Sequence, residues 1–433
     1  MKKWAFRLLA VAAAAIVIEA LAVSFYAVRY GGLIPLGALQ AERDTLTGAR
    51  TRAVEARHLV DRLEFRDVRT PEQIGAEVLH PYLGYVFTPE QSERAKASYG
   101  VGISRWGFLD DQGPIHAAAP NRVVVGVFGG SVAWYLSSES ADALVRGLRA
   151  SPDYRDKEIV LVRAALFGYK QPQQLLALTY LLSMGAHFDV VINLDGFNEV
   201  VLPVTENIPK RVFPFFPRTW FLRAADSESA RAVADRITDL RVERRDTAAR
   251  ASMAMLRYSP TVNLAWRIRD QELSNRMDAE QSAWLQSQAT DGNYAGTGPF
   301  EAYSGDAAIY ADLAGKWKQA SLQMHRLASA NGAKYFHFLQ PNQYVEGSKV
   351  MSAEERAIAI DEGFMFAAPA RAGYAQLIAA GKGLQQEGVS YHDLTQLFAP
   401  VSERVYRDNC CHLERNGGEI MAAAIAAIVV RGA

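Results

Sequence analysis

Cysteine is scarce in this chain, and its scarcity excludes two kinds of site. Of 433 residues only two are cysteines, Cys410 and Cys411, and they are adjacent. Neighbouring cysteines rarely satisfy disulfide geometry, so the sequence predicts no disulfide framework. Two cysteines are also too few for a Cys-based structural zinc site, and the 8 histidines show no HExxH or similar metal-binding spacing. We therefore predict neither a metal nor another cofactor.

The chain also lacks an excess of charge of either sign. Lys plus Arg and Asp plus Glu number 47 each, and no basic run is interleaved with aromatic residues. This balance argues against nucleic acid as a partner. Hydrophobic residues make up 49% of the chain and charged residues 22%, which is typical of a globular protein with a substantial core.

Long apolar runs are absent except near the N-terminus. The basic start MKKWAFR precedes an apolar stretch from Leu8 to Ala27, in which Glu19 is the one charged residue. At about 1.5 Å per helical residue this stretch can cross a hydrocarbon core of about 30 Å. A removed signal peptide has a shorter apolar region and a small-residue cleavage site, for which Ala22 and Ala27 are poor candidates. We therefore favour an uncleaved anchor. Because positive charge stays in the cytoplasm, we expect a single-pass inner-membrane protein whose remaining residues lie on the periplasmic side.

Five short apolar segments predict the strands of one parallel sheet. Helix-compatible sequence separates them, and the first three follow one another at the spacing of βαβ units. Short buried strands that alternate with helices predict an α/β fold whose sheet is covered by helices on both faces. The predicted strands cover residues 122–130, 158–166, 188–196, 333–341 and 389–395.

The sequence predicts three regions along the chain. Residues 1–30 form the cytoplasmic start and the transmembrane anchor. Residues 31–120 form a stalk and lead-in segment, with a polar helical stalk at about 40–65. Residues 121–433 form the α/β domain, which a charged and mostly helical insertion interrupts at about 203–330.

Residues with potential chemistry follow several of the predicted strands. The first strand leads into FGGS, where Ser131 is either the N-cap of the next helix or a nucleophile. Gly168 follows the second strand, Asn198 follows the third, and Asp408 and His412 precede the last helix. Ligands bind beyond the carboxyl ends of the strands in open α/β sheets. We therefore expect these residues to converge on one edge of the sheet.

In order and context these blocks resemble the SGNH hydrolases, also called GDSL-like lipases and esterases, in a membrane-anchored bacterial form. FGGSVA matches the serine block of that family, Gly168 is the best match to its glycine, and DGFNE supplies the asparagine as Asn198. Asp408 and His412 match the last block. The resemblance covers about residues 120–433 and includes the HPYLGYV lead-in before them.

The resemblance implies a fold and a set of site residues. The fold is a three-layer αβα sandwich with a flavodoxin-like, five-stranded parallel sheet. Ser131 is then the nucleophile, His412 the general base and Asp408 the acid behind it. The backbone N–H groups of Ser131 and Gly168 and the side-chain amide of Asn198 are the implied oxyanion-hole donors. Each role has a physical reason, because a serine hydroxyl needs a base and a tetrahedral intermediate needs donors for its negative charge.

One departure from the family pattern concerns the acid. The family's acid usually stands three residues before the histidine, and Asn409 occupies that position here. Either Asp408 reaches His412 across one extra residue, or Ser131 and His412 act as a dyad in which a carbonyl or Asn409 orients the ring. Asp393, at the end of the fifth strand, is a further candidate for the acid.

Three further residues are candidates for lining a substrate cleft: Gly130, Gln340 and Asn342. The alternative for the last two is a polar loop stabilised by its own turns. The aromatic stretch VFPFFPRTWF at 212–221 is either a packed elbow or a lid or membrane-surface contact. The adjacent cysteines are either small buried residues or reactive thiols.

From these features we expect a membrane-anchored, extracytoplasmic serine esterase. It would hydrolyse an acyl ester, foremost acetyl, of a carbohydrate or lipid-linked substrate through a Ser-His-Asp acyl-enzyme mechanism. Two alternatives remain open at this point. One is a polysaccharide O-acetyltransferase that uses the same site, and the other is a non-catalytic binding module with the same fold.

Overall fold

The computed structural model describes residues 2–47, 77–223, 227–290 and 294–432. Most of the predicted stalk helix at about 40–65 lies outside these residues. The chain divides into two compact units. One comprises residues 1–70 and 225–293, and the other residues 71–224 and 294–433.

The described residues form seven β-strands and a larger set of helices. The strands are β1 (Glu77–His80), β2 (Gly84–Phe87), β3 (Arg122–Gly129), β4 (Glu158–Ala165), β5 (Val190–Asp195), β6 (Lys334–Leu339) and β7 (Ser390–Asp393). The α-helices are α1 (Lys2–Tyr30), α2 (Leu36–Thr47), α3 (Ser92–Tyr99), α4 (Ser131–Ser137), α5 (Ala141–Leu148), α6 (Gln173–Ser183), α7 (Phe197–Leu202), α8 (Trp220–Arg223), α9 (Ser227–Ala251), α10 (Pro260–Thr290), α11 (Tyr294–Thr297), α12 (Asp306–Ala330), α13 (Ala353–Ala359), α14 (Ala367–Gln386) and α15 (Arg415–Arg431).

Strands β3 to β7 form one five-stranded sheet in which every pairing is parallel. The order across the sheet is β4-β3-β5-β6-β7, the doubly wound order that places the first strand between the second and the third. The predicted five-stranded parallel sheet is therefore confirmed. Each strand ends one or two residues before its predicted end, and β3 ends at Gly129, whose φ of +144° interrupts the extended backbone.

Helices cover both faces of this sheet, as predicted. The two faces are distinguished on β6, whose side chains alternate between them. Tyr335 and His337 meet Ser321 of α12, with Ser321 Oγ 3.1 Å and 2.7 Å from Tyr335 Oη and His337 Nδ1. Phe336 instead lies against Gly432, directly after α15. Apolar runs such as RVVVGVFG in β3 are almost wholly buried, because both faces are covered.

The lead-in segment forms a small antiparallel hairpin of β1 and β2 in the same unit. It packs against the loop that follows β4. Tyr85 Oη donates to Phe167 O and Tyr169 Oη donates to Tyr85 O, both at 2.6 Å. These bonds hold the Phe167 carbonyl and the Tyr169 side chain, on either side of Gly168.

The other unit consists of the N-terminal helices and part of the predicted insertion. Helices α1 and α2 pack with α9 and α10 around a core of Tyr26, Leu39, Ala248, Ala251 and Trp266. Helix α1 is the one helix among the described residues that is long and apolar enough to span a membrane, with a mean hydropathy of 1.5 over Ala13–Tyr30. A signal sequence near an N-terminus has the same length and apolar composition.

Candidate active site

Ser131 stands at the carboxyl end of β3, where the strand turns sharply into α4. A side chain at Gly129 would place Cβ 2.0 Å from Leu194 O, so only glycine fits this turn. Gly130 is the N-cap of the helix and Ser131 is its first residue. The Ser131 hydroxyl is therefore not the cap. Its Oγ lies 2.9 Å from His412 Nε2.

The imidazole of His412 is held from its other side by Asp408. His412 Nδ1 lies 2.5 Å from Asp408 Oδ2. The Oδ1 atom of the same carboxylate accepts the backbone N–H groups of Cys410, Cys411 and His412 at 2.9, 3.2 and 3.3 Å. The loop thus closes around the carboxylate, and this closure brings Asp408 to the ring of a histidine four residues later. With Nδ1 donating to Asp408, Nε2 is left to accept the Ser131 proton.

Asp393, the other candidate for the acid, and Asn409, the alternative group behind the ring, have different partners. The backbone carbonyl of Asn409 accepts the Tyr344 hydroxyl at 2.8 Å. The Asp393 carboxylate accepts the backbone N–H of Thr395 at 2.8 Å. Asp408 is therefore the carboxylate that contacts the His412 ring.

Electrostatics keep the Asp408 carboxyl ionised. Burial by itself raises its pKa, but the charge and hydrogen bond of His412 and the backbone N–H groups outweigh burial, so the pKa lies below its ordinary value. Burial likewise raises the pKa of the Cys411 thiol. The hydrogen bond from Cys410 and the charge of His412 prevail there too and lower that pKa to about 6.

The segment after β6 supports the loop that carries Asp408 and His412. Asn342 Nδ2 donates to Cys410 O at 3.2 Å, and Gln343 Nε2 donates to Asp408 O at 3.0 Å. Asn342, predicted as a cleft residue, is thus engaged in holding this loop. Gln340 Nε2 is buried and has no hydrogen-bond partner in the part of the chain that is described, so this donor remains available to a ligand.

Asn198 reaches the serine from the carboxyl end of β5. Its Nδ2 donates to Tyr169 O at 2.8 Å and passes so close to Gly130 that a Cβ there would lie 2.2 Å away. Because an amide nitrogen carries two hydrogens, one remains for a ligand beside Ser131. Gly168, adjacent to Tyr169, has a φ of +73° and is covered by the Arg218 side chain. The structure therefore brings the predicted serine, histidine, acid, asparagine and Gly130 together, with Gly168 in the neighbouring turn.

Buried residues that sequence reasoning did not single out connect the blocks at 168 and 198. The Glu199 carboxylate accepts the backbone N–H groups of Gly196 and Gln171 at 2.8 and 3.1 Å and the Gln174 amide at 2.9 Å. Burial and the negative charge of Asp195 raise the pKa of Glu199 to about 8 against these bonds. The sequence feature that could have indicated this role is Glu199 itself, the acidic residue directly after Asn198 in DGFNE.

The aromatic stretch at 212–221 packs over the block at 168. Lys170 Nζ donates to Pro214 O at 2.6 Å and to Phe216 O, and burial lowers the pKa of Lys170 to about 7. Arg218, paired with Glu206, lies over Gly168. These contacts agree with the packed elbow that the sequence offered as one alternative.

A second hydrogen-bonded chain of serine, histidine and aspartate side chains lies between α12 and the sheet. Ser321 Oγ is 2.7 Å from His337 Nδ1, and His337 Nε2 is 2.9 Å from Asp195 Oδ1. That carboxylate also accepts Trp317 Nε1 at 2.7 Å. Ser321 lies in the middle of a helix, away from the strand ends where ligands bind. This position favours a structural role for the second chain of hydrogen bonds, whereas Ser131 lies at a strand end.

A metal ion has one possible set of ligands among the described residues. The ligand atoms of Cys410, Cys411 and His412 lie within 4.8 Å of one another. Both ring nitrogens of His412 already have partners in Ser131 and Asp408. Metal binding here would therefore break the chain of hydrogen bonds that defines the site.

A scan against protein-family models and a search of curated proteins found no match for this chain. Function is therefore inferred from the geometry of the site and the chemistry of its residues.

Proposed function

We propose that this protein is a serine esterase of the SGNH type that acts on an acyl ester, foremost acetyl, of a carbohydrate or lipid-linked substrate. The observation that carries the proposal is the hydrogen-bonded chain from Ser131 Oγ through His412 to Asp408, at 2.9 and 2.5 Å. The strand order and the helices on both faces of the sheet support the family's three-layer sandwich.

The proposed reaction has two steps. Ser131 Oγ attacks the acyl carbonyl as its proton passes to His412 Nε2, and Asp408 stabilises the imidazolium. The backbone N–H groups of Ser131 and Gly168 and the Asn198 amide bind the oxyanion. His412 then protonates the leaving alcohol, and an acyl-serine remains. Water, deprotonated by His412, attacks the acyl-serine and releases the acid and free Ser131.

Transfer of the acyl group to a sugar hydroxyl is a second candidate, because the hydrogen-bonded chain from Ser131 through His412 to Asp408 can deprotonate an alcohol in place of water. Product analysis with water and an oligosaccharide acceptor present together distinguishes the two reactions.

We also propose that α1 anchors the protein in the inner membrane, with the sheet-containing unit on the periplasmic side. Its apolar composition supports a crossing, and the basic residues before it support this orientation.

The central test compares two serines of the same unit. Ser131→Ala should abolish hydrolysis of a short-chain aryl acetate and covalent labelling by a fluorophosphonate, because it removes the nucleophile. Ser321→Ala removes the serine of the second chain and should leave both signals in place. Hydrolysis that survives in Ser131→Ala, or a lack of labelling in the unchanged protein, would contradict the proposal and favour a binding module.

A further inference from the structure

Large apolar side chains are concentrated at the turn between α9 and α10. We call residues 252–259 the hairpin tip. Four of its side chains are strongly exposed: Met253 at 59%, Met255 at 80%, Leu256 at 48% and Tyr258 at 56%. Such a cluster at a single turn marks a surface that contacts an apolar partner.

Hydrogen bonds connect the hairpin tip and the first turn of α10 to Glu19 of helix α1. The Glu19 carboxylate accepts the Ser259 hydroxyl at 2.6 Å, the Thr261 backbone N–H at 2.8 Å and the Thr261 hydroxyl at 2.9 Å. Around Glu19, the apolar side chains of Ile16 and Leu21 are exposed at 69% and 63%. The exposed apolar surface of the hairpin tip therefore begins at the level where α1 is itself apolar and exposed.

The position of Glu19 along α1 gives the depth of this contact. At about 1.5 Å per residue, Glu19 lies about 24 Å beyond Lys3. A hydrocarbon core is about 30 Å thick, so a crossing that starts at Lys3, with the Arg7 side chain extended back to the inner headgroups, places Glu19 about 6 Å inside the outer boundary of the core. The three hydrogen bonds offset much of the cost of a carboxylate at this depth.

We propose that the hairpin tip enters the outer leaflet of the membrane that α1 crosses and forms a second membrane contact. The inference rests on the proposed anchoring by α1. Met, Leu and Tyr side chains suit the boundary between acyl chains and headgroups. Arg257 donates to Tyr258 Oη at 2.8 Å and, with the exposed Arg250, provides cations for lipid phosphates. A lipid surface is the partner because Glu19 fixes the hairpin tip at membrane depth.

Depth-dependent fluorescence quenching of the full chain tests this inference. Met255→Cys, Val242→Cys and Ile16→Cys variants are labelled with a small environment-sensitive fluorophore and placed in nanodiscs of phosphatidylcholine and phosphatidylglycerol. Val242 is the matched control because it is exposed on α9 but lies about 13 Å before the end of that helix. Cys410 and Cys411 are buried, and the label taken up by the unsubstituted chain is the blank.

We expect the probe at 255 to be quenched by lipids that carry a spin label in the acyl chain and to be protected from aqueous iodide. The probe at 242 should show the reverse. Iodide access at 255 together with lipid quenching at 16 would overturn the inference and leave the anchor intact. A probe at 16 without lipid quenching would overturn the anchor and this inference together. Protection at 255 that depends on protein concentration, without lipid quenching, would replace the lipid by a second copy of the chain.

Discussion

Asp408 contacts both the imidazole it supports and the backbone of its own loop. One carboxylate oxygen faces His412 Nδ1, and the other accepts hydrogen bonds from the backbone N–H groups of residues 410–412. The ionised form is favoured by all of these donors, and the position of the carboxylate is fixed by the backbone rather than by a side-chain rotamer alone. The site therefore depends on Asp408 as a negative charge.

Replacing that charge by an amide tests the role of Asp408. Asp408→Asn keeps an oxygen for the backbone donors but presents an NH2 group to His412 Nδ1. The ring then adopts the other tautomer and cannot accept the Ser131 proton. We expect kcat for aryl acetate hydrolysis to fall by about 10²–10⁴-fold. The matched variant Asp393→Asn alters a carboxylate that binds the Thr395 backbone, and it should leave kcat unchanged. Equal losses in the two variants would contradict the assignment.

Glu199 makes stability depend on pH. Its pKa is about 8 in the folded protein against an ordinary value of 4.5. Between these values the folded state holds a proton that the unfolded chain has released, so stability falls as the pH rises, by at most about 1.4 kcal/mol per pH unit. Lys170, whose pKa is lowered to about 7, acts in the opposite direction and only above that pH.

The variant Glu199→Gln should remove this dependence. The comparison is made between about pH 5 and pH 6, below the pKa of Lys170 in the folded protein, so that Lys170 is charged in both states. The free energy of unfolding, from urea titrations followed by circular dichroism, should fall with pH in the unchanged protein and stay flatter in Glu199→Gln. Parallel slopes would show that Glu199 does not hold a proton in the folded protein.

At the scale of elements, the segment after β6 holds the loop before α15. Donors from Asn342, Gln343 and Tyr344 bind the backbone carbonyls of three successive residues in that loop, Cys410, Asp408 and Asn409. Two segments that are distant in sequence thus act as one support for Asp408 and His412.

A Tyr344→Phe variant tests this support, because it removes the hydroxyl that binds Asn409 O. We expect kcat to fall by roughly 10-fold with little change in KM, since the loop is displaced while the rest of the site stays in place. Tyr391→Phe is the matched control. The Tyr391 hydroxyl is buried without a hydrogen-bond partner among the described residues, so its removal should leave kcat unchanged. A larger loss in Tyr391→Phe than in Tyr344→Phe would contradict the proposed support.

At the scale of the whole molecule, two serine–histidine–aspartate chains occur on one sheet and have different roles. The chain at Asp195 lies between α12 and the sheet, where its carboxylate binds His337, Trp317 and Asn193. Its position predicts an effect on stability, whereas the position of Ser131 at a strand end predicts an effect on reaction rate.

Removal of the Asp195 carboxylate should therefore destabilise the fold. Asp195→Ala leaves four buried donors, from His337, Trp317, Asn193 and Gln171, without this acceptor, at a cost of about 3 kcal/mol or more in the free energy of unfolding. Urea titration followed by circular dichroism measures this loss. The comparison variant Ser131→Ala removes one hydroxyl at the sheet edge and should lose less stability. Near-equal stability of Asp195→Ala and the unchanged protein would contradict a structural role.

The amino-acid sequence alone determined the five strands of the parallel sheet and their type. In β3, β4 and β5 the Val-rich runs specify buried parallel strands, because this pattern depends on residues that are neighbours in the chain. The same local patterns predicted the apolar helix at the N-terminus, placed Ser131 and Asn198 beyond strand ends and placed His412 before the last helix.

Only the tertiary structure decided which of these residues meet. Ser131 and His412 are 281 residues apart, and the order of the strands brings them together. The choice of Asp408 over Asn409 depended on a loop that closes around a carboxylate. Residues 225–293 group with the N-terminal helices through contacts that no local pattern encodes. Such long-range contacts follow from packing over the whole chain, whereas periodicity and hydrophobicity record only what each segment favours by itself.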